Sequence, residues 1–203
     1  MRHHLSARLL TLASLLSAHM AHGAVAIISQ TGGLVGSSSQ TRGWEFTTVN
    51  NITISSLGWW DNLGDGLAVS HQVGIWNFTG TLLLSATVST GTTDPLSNGY
   101  RFDSVLTGSP LLLAGTYIIG GKSVSADSIN YALAPANIVF DPEITFVKNR
   151  TNSTSGPFSF PSTTQSGLDI GMFGPSFQFS VPEPTTALLA LSGLALLGTR
   201  RRR

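Results

Sequence analysis

Leu67-Ala68-Val69-Ser70-His71-Gln72-Val73-Gly74-Ile75-Trp76 runs into Asn77-Phe78-Thr79-Gly80, and Thr81-Leu82-Leu83-Leu84-Ser85-Ala86-Thr87-Val88 follows. Leu67, Val69, His71, Val73 and Ile75 alternate with their neighbours at a period of two, as do Leu82, Leu84, Ala86 and Val88. That is the period of extended chain, whose successive side chains point to opposite faces. The four residues between the runs carry the Asn and Gly that a tight turn favours. The stretch therefore predicts a β-hairpin with one apolar face, which needs a second apolar surface to cover it.

The same grammar extends in both directions. Short runs of β-branched and aromatic residues, separated by Gly, Ser, Thr and Asn, predict strands near Ala24–Ser29, Gly43–Thr48, Ile52–Trp60, Tyr100–Leu106, Gly115–Ile119, Asn137–Phe140, Ile144–Val147 and Phe177–Val181. No helical period occurs between Ala24 and Val181. The expected body is all-β, an antiparallel β-sandwich or jelly roll, and roughly 155 residues suffice for one such domain. With no cysteine in the chain, no disulfide, thiol nucleophile or thiolate metal site is available, so an ordinary core must hold the fold. Thr151 to Ser166, rich in Ser, Thr and Pro, reads as a flexible loop before the last strand.

Both ends read as targeting segments. Arg2, His3, His4 and Arg8 precede the apolar run Leu9 to Leu16 and then small residues, the pattern of a secretory signal peptide over 1–23. A cut after Gly23 has Ala21 three places back, and a cut after Ala26 has Ala24 there, so both fit. At the other end Pro182-Glu183-Pro184 ends the body, because each proline fixes φ and lacks an N–H donor. Thr185 to Thr199 is apolar, and as a helix of about 15 residues it reaches only ~22 Å, against a hydrocarbon core of ~30 Å. Arg200, Arg201, Arg202 and Arg203 then favour a cytoplasmic C-terminus. This predicts a short transmembrane helix acting as a transient anchor.

Val181-Pro182-Glu183-Pro184-Thr185-Thr186, the leucines from Leu188 to Leu194 and the terminal arginines resemble the PEP-CTERM sorting signal of Gram-negative bacteria. The resemblance implies sorting by exosortase, a membrane protease that cuts near Pro-Glu-Pro, after export through the Sec translocon and removal of the leader by signal peptidase. It also implies a passage from inner-membrane anchor to cell surface or extracellular polymer. The chain thus divides into 1–23, 24–181 and 182–203.

Removing the ends changes the charge. The formal +1 of the whole chain depends on Arg2, Arg8 and the four terminal arginines, whereas residues 24–181 hold five basic groups against nine acidic ones. An acidic body without a basic patch excludes nucleic acid as a partner.

A second resemblance covers the body. Gly43-Trp44-Glu45-Phe46, Ile54 to Trp59, Asp65-Gly66-Leu67, Ser70 to Trp76 and Leu113-Ala114-Gly115-Thr116-Tyr117 are similar to a surface-protein domain of unknown function. It implies a β-sandwich resembling carbohydrate-binding modules, with no catalytic residues attached.

Candidate chemistry is sparse. Asp61, Asn62 and Asp65, with glycines at 64 and 66, suit either a polar turn or a loop around Ca²⁺, which takes six to eight oxygen ligands. Asp94, Asp141 and Glu143 are possible distant donors. Trp44, Trp59, Trp60 and Trp76 are candidates for a sugar-stacking platform, although core packing accounts for most tryptophans. Trp59 and Trp60, being adjacent, face opposite ways, so only one can be core. His71 shares a strand face with Val69 and Val73, which predicts a core imidazole bonded to a loop, with Asp65 as partner. Asp141 and Glu143 flank Pro142, which predicts an exposed turn rather than paired catalytic carboxylates. No nucleophile elbow, zinc motif or phosphate loop occurs, so no enzyme is expected. The expected role is a non-enzymatic surface or matrix component of exopolysaccharide or biofilm. The alternative is a secreted carbohydrate- or Ca²⁺-dependent binding module.

Overall fold

A computed structural model describes residues 23–35, 39–132, 137–152, 155–164 and 171–182. The expected signal peptide over 1–23, except Gly23, and the sorting segment from Glu183 to Arg203, with its expected helix, lie outside the described residues. No helix among the described residues is long and apolar enough to cross a membrane.

The strands in chain order are β1 (Ala24–Val25), β2 (Ile27–Gln30), β3 (Gly33–Val35), β4 (Thr41–Thr48), β5 (Ile52–Trp60) and β6 (His71–Asn77). Then come β7 (Leu82–Val88), β8 (Leu96–Ser97), β9 (Tyr100–Asp103), β10 (Thr107–Gly108), β11 (Leu111–Leu112) and β12 (Gly115–Lys122). The chain closes with β13 (Ile129–Ala132), β14 (Ile138–Phe140), β15 (Ile144–Thr151), β16 (Gly171–Met172) and β17 (Pro175–Ser180). One six-stranded sheet runs β1-β17-β5-β9-β8, with β11 also on β5, and a second runs β10-β7-β6-β12-β4-β15. Every pairing is antiparallel.

The two sheets face each other in a sandwich-like body. From the second sheet Trp44 lies nearly parallel to Phe177 of the first, centroids 6.0 Å apart, and Phe46 meets the same ring at 4.9 Å. Trp44, Phe46, Ile54, Leu57, Trp59, Ile75 and Phe177 are essentially excluded from water, and burying an aromatic or large aliphatic side chain contributes about 1.5–3 kcal/mol. The Trp44 indole N–H donates to Pro175 O at 2.9 Å, so the ring enters the core without an orphan donor.

The predicted hairpin is present, with Trp76 opposite Leu82. Asn77 Oδ1 accepts the N–H groups of Thr79 and Thr81, and Gly80 takes φ +92°, which together form the turn. Its first strand begins at His71 rather than Leu67. Leu67 bridges Gly91 instead, and the N–H groups of Ala68 and Val69 go to Asp127, so no ladder partner remains for that stretch.

Of the expected flexible loop over Thr151–Ser166, Thr151 belongs to β15, and residues 153–154 and 165–166 lie outside the described residues. Residues 155–164 form a strap on the outer face of the second sheet, where Phe158 and Phe160 cover Trp76 at 5.1 and 6.2 Å. The floor beneath is glycine: Gly43, Gly120 and Gly74 lie side by side on β4, β12 and β6. A Cβ on Gly74 would stand 3.0 Å from Phe158, and one on Gly120 would stand 3.0 Å from Pro161. Arg150 pins the strap from below, donating to Ser162 O at 3.0 Å and to Glu45 through Nε at 2.8 Å and through Nη2. Polar composition concealed two phenylalanines with a surface cut to receive them.

Strand direction defines two ends. Ser180 lies beside Thr53 and Ala24 beside Phe179, so the ends of the described body emerge together near the 49–51 turn. Pro175 lies beside Trp59 at the opposite end, where the 61–66 and 123–128 loops meet.

Candidate functional site

The far end is built on two aspartates used in the same way. Asp61 follows directly on β5, and its carboxylate accepts the N–H of Gly64 at 3.1 Å, the N–H of Gly66 at 3.0 Å and Arg101 Nε at 2.7 Å. Gly64 and Gly66 have φ of +72° and +115°, which lets the chain curl its amides back onto the carboxylate. Each of the three nitrogens of Arg101, from β9, donates, the other two bonds running from Nη1 to Asp94 O and from Nη2 to Gly64 O. Both side chains are at most 5 % exposed. Such a pair, bonded to the loop backbone from both side chains, fixes one loop geometry.

Asp127 repeats the pattern on the other side. It accepts the N–H groups of Ala68 at 2.9 Å and Val69 at 3.2 Å, and Oδ2 lies 2.9 Å from His71 Nε2. His71 Nδ1 lies 2.8 Å from Lys122 O. A backbone carbonyl only accepts, so Nδ1 donates to it, and a second proton sits between Nε2 and the carboxylate. The imidazole is fully buried and stacks on Trp59 at 4.2 Å and 8°. The expected core imidazole is found, but its partner is Asp127, not Asp65. Asp65 is exposed, in the 61–66 loop.

Between the clamps lies a cavity of about 150 Å³ whose lining includes Trp60, Asp61, Asn62, Asp65, Asp127 and Ser128. Trp60 is half-buried, edge-on to Tyr100 at 5.3 Å, and Gly99 makes room for its ring, since a Cβ there would stand 2.2 Å away. Burial pushes the Tyr100 hydroxyl well above the usual phenol range, and its O–H donates to Phe173 O at 3.0 Å.

The tryptophan platform is not assembled. Trp44, Trp59 and Trp76 are at most 3 % exposed, the first two in the core and the third beneath the strap, so no open indole face is offered by them. Trp60 alone remains available, and the alternation of Trp59 and Trp60 between faces holds. The proposed cation ligands line one cavity without forming a ligand cluster. Asp61 is committed to Arg101, Asn62 and Asp65 are exposed, and no cluster of three His, Cys, Asp or Glu that could hold a metal occurs among the described residues. Asp94 accepts Ser89 N–H at 2.5 Å. Asp141 and Glu143 form the expected turn at the other end, where Asp141 accepts Glu143 N–H and Glu143 accepts Asn50 Nδ2.

Arg101 and Asp127 were missed by sequence reasoning. A signal existed for Arg101: in a body with so few charges, a lone Arg between Tyr100 and Phe102 on a strand is either exposed or paired. Nothing local marked Asp127, whose partners lie 56 to 59 residues away.

Residues 180–203 match the PEP-CTERM protein-sorting motif. The motif implies an exported protein whose C-terminal membrane anchor is processed by exosortase. No curated protein matches the chain.

Proposed function

We propose that this protein is delivered to the cell surface or extracellular matrix as a non-enzymatic structural or adhesive component of exopolysaccharide or biofilm. Its C-terminal segment holds it briefly at the inner membrane until exosortase cuts. The observation that carries this reading is where the body stops. β17, hydrogen-bonded to β1 on one side and β5 on the other, ends at Ser180, the first residue of the sorting motif. A cut near Pro182-Glu183-Pro184 therefore takes nothing from the sheet. Fractionating the host with and without exosortase tests it. The protein should move from polymer or surface to the membrane fraction when exosortase is absent. An unchanged distribution would contradict the reading.

The far-end cavity favours a second reading, a binding module for a short glycan segment. Half-buried Trp60 offers an apolar ring edge beside Asn62, Asp65 and Ser128, the mixture of stacking surface and hydrogen-bonding groups that suits a sugar. Host polysaccharide should then quench fluorescence in the intact protein and fail to do so in Trp60→Phe.

A further inference from the structure

We infer that the leader is cut between Gly23 and Ala24, and that Ala24-Val25-Ala26 belongs to the finished domain. The inference rests on the proposed export of the protein. Sequence alone leaves Ala26 as an equal site, because Ala24-Val25-Ala26 has small residues at both positions that a leader-removing peptidase selects.

The fold separates the two. Ala24 and Val25 pair with Phe179 and Gln178 as β1, closing the outer side of β17. Ala26 is fully buried, with its N–H on Phe177 O at 2.9 Å and its C=O accepting Asp141 N–H at 3.1 Å. A cut after Ala26 would remove these partners and bare the edge of β17 beside the sorting segment. Unpaired buried backbone groups are costly, and a bare edge invites pairing with another chain.

The new terminus decides more sharply still. Hydrolysis adds water across one amide, leaving a carboxylate on the leader and an ammonium on the product. After Ala26 that ammonium would sit on Ile27, the first residue of β2, whose side chain is anchored in the core. An α-amino group is charged near neutral pH, and tying that charge to a core-anchored residue holds it close to apolar surface, which is costly. After Gly23 it sits on Ala24. Gly23 is exposed, and a Cβ on it would meet nothing within 4 Å, so the ammonium there projects into solvent.

N-terminal sequencing of the protein from its own host tests the assignment. Ala24 as first residue is expected, and Ile27 or an uncut Met1 would overturn it. The N-terminus is legible whether or not the tail has been cut, so failure of this inference and failure of exosortase sorting give different results. As a second measurement, Ala21→Gln alters the position three before the Gly23 cut and precedes β1 in the chain. Leader removal in a pulse-chase should fall at least about ten-fold, because small residues are required there. Normal processing of Ala21→Gln would contradict the assignment.

Discussion

The two ends of the sandwich are built for different purposes. At the end where the chain enters and leaves, the turns are held by single polar contacts such as Asn50 to Glu143, and Val49 is 72 % exposed. At the far end two aspartates each gather two backbone amides and a cationic or imidazole donor around one cavity. The near end needs only to present a tail, and its backbone partners lie in the sheets. The far end carries loops with no ladder to join, so buried side chains replace the ladder. Buried side-chain bonding is thus concentrated at the far end, away from where the sorting segment leaves the body.

The clamps should therefore dominate stability. Removing one partner of the Asp61–Arg101 pair, as in Asp61→Ala, leaves a buried guanidinium and two amides unsatisfied. A loss of about 3–5 kcal/mol is expected in denaturant unfolding. Asp127→Ala should cost less, about 1–3 kcal/mol, because the Asp127 side chain is partly open to solvent, which can reach the groups it leaves. In the native protein the Asp127 clamp predicts two protected ring-associated protons on His71 by NMR. In Asp127→Ala only the Nε2-side proton should be lost, since Lys122 O still holds the Nδ1 proton; loss of the Nδ1 proton instead would reverse the two roles.

Tyr100, beneath Trp60, supplies a pH test of the far end. Its folded-state value is raised by burial, so its contribution is present in full below the ordinary phenol value near 10 and is eroded as pH climbs from there toward the folded value. Tyr100→Phe should flatten the alkaline limb of the stability curve. Smaller still, Asp65→Asn should change stability by no more than about 0.5 kcal/mol, as for most exposed positions. Ca²⁺ should leave the melting temperature where it is, and a clear rise would mean that Asp61 had left Arg101 for the ion.

The strands were legible because period two is local: β4 to β7, β12 and β17 follow from alternation within a handful of residues. What sequence did not reveal was long-range. Phe158 and Phe160 looked like incidental residues of a polar loop until Gly74 was seen to make room for the first and Gly80 for the second, 84 and 80 residues away in the chain. Trp76 looked available for a ligand for the same reason. The Asp61 loop was recognised as polar and tight, yet a cation and an arginine satisfy a carboxylate alike, and only the fold brings Arg101 to it.

Intact mass spectrometry of the mature protein, from the host and from an exosortase-deficient strain, tests most directly whether this sandwich is a released cargo. A C-terminus near Pro182–Thr186 only when exosortase is present is the expected result. A chain ending at Arg203 in both strains would contradict it and leave a plain membrane-anchored protein.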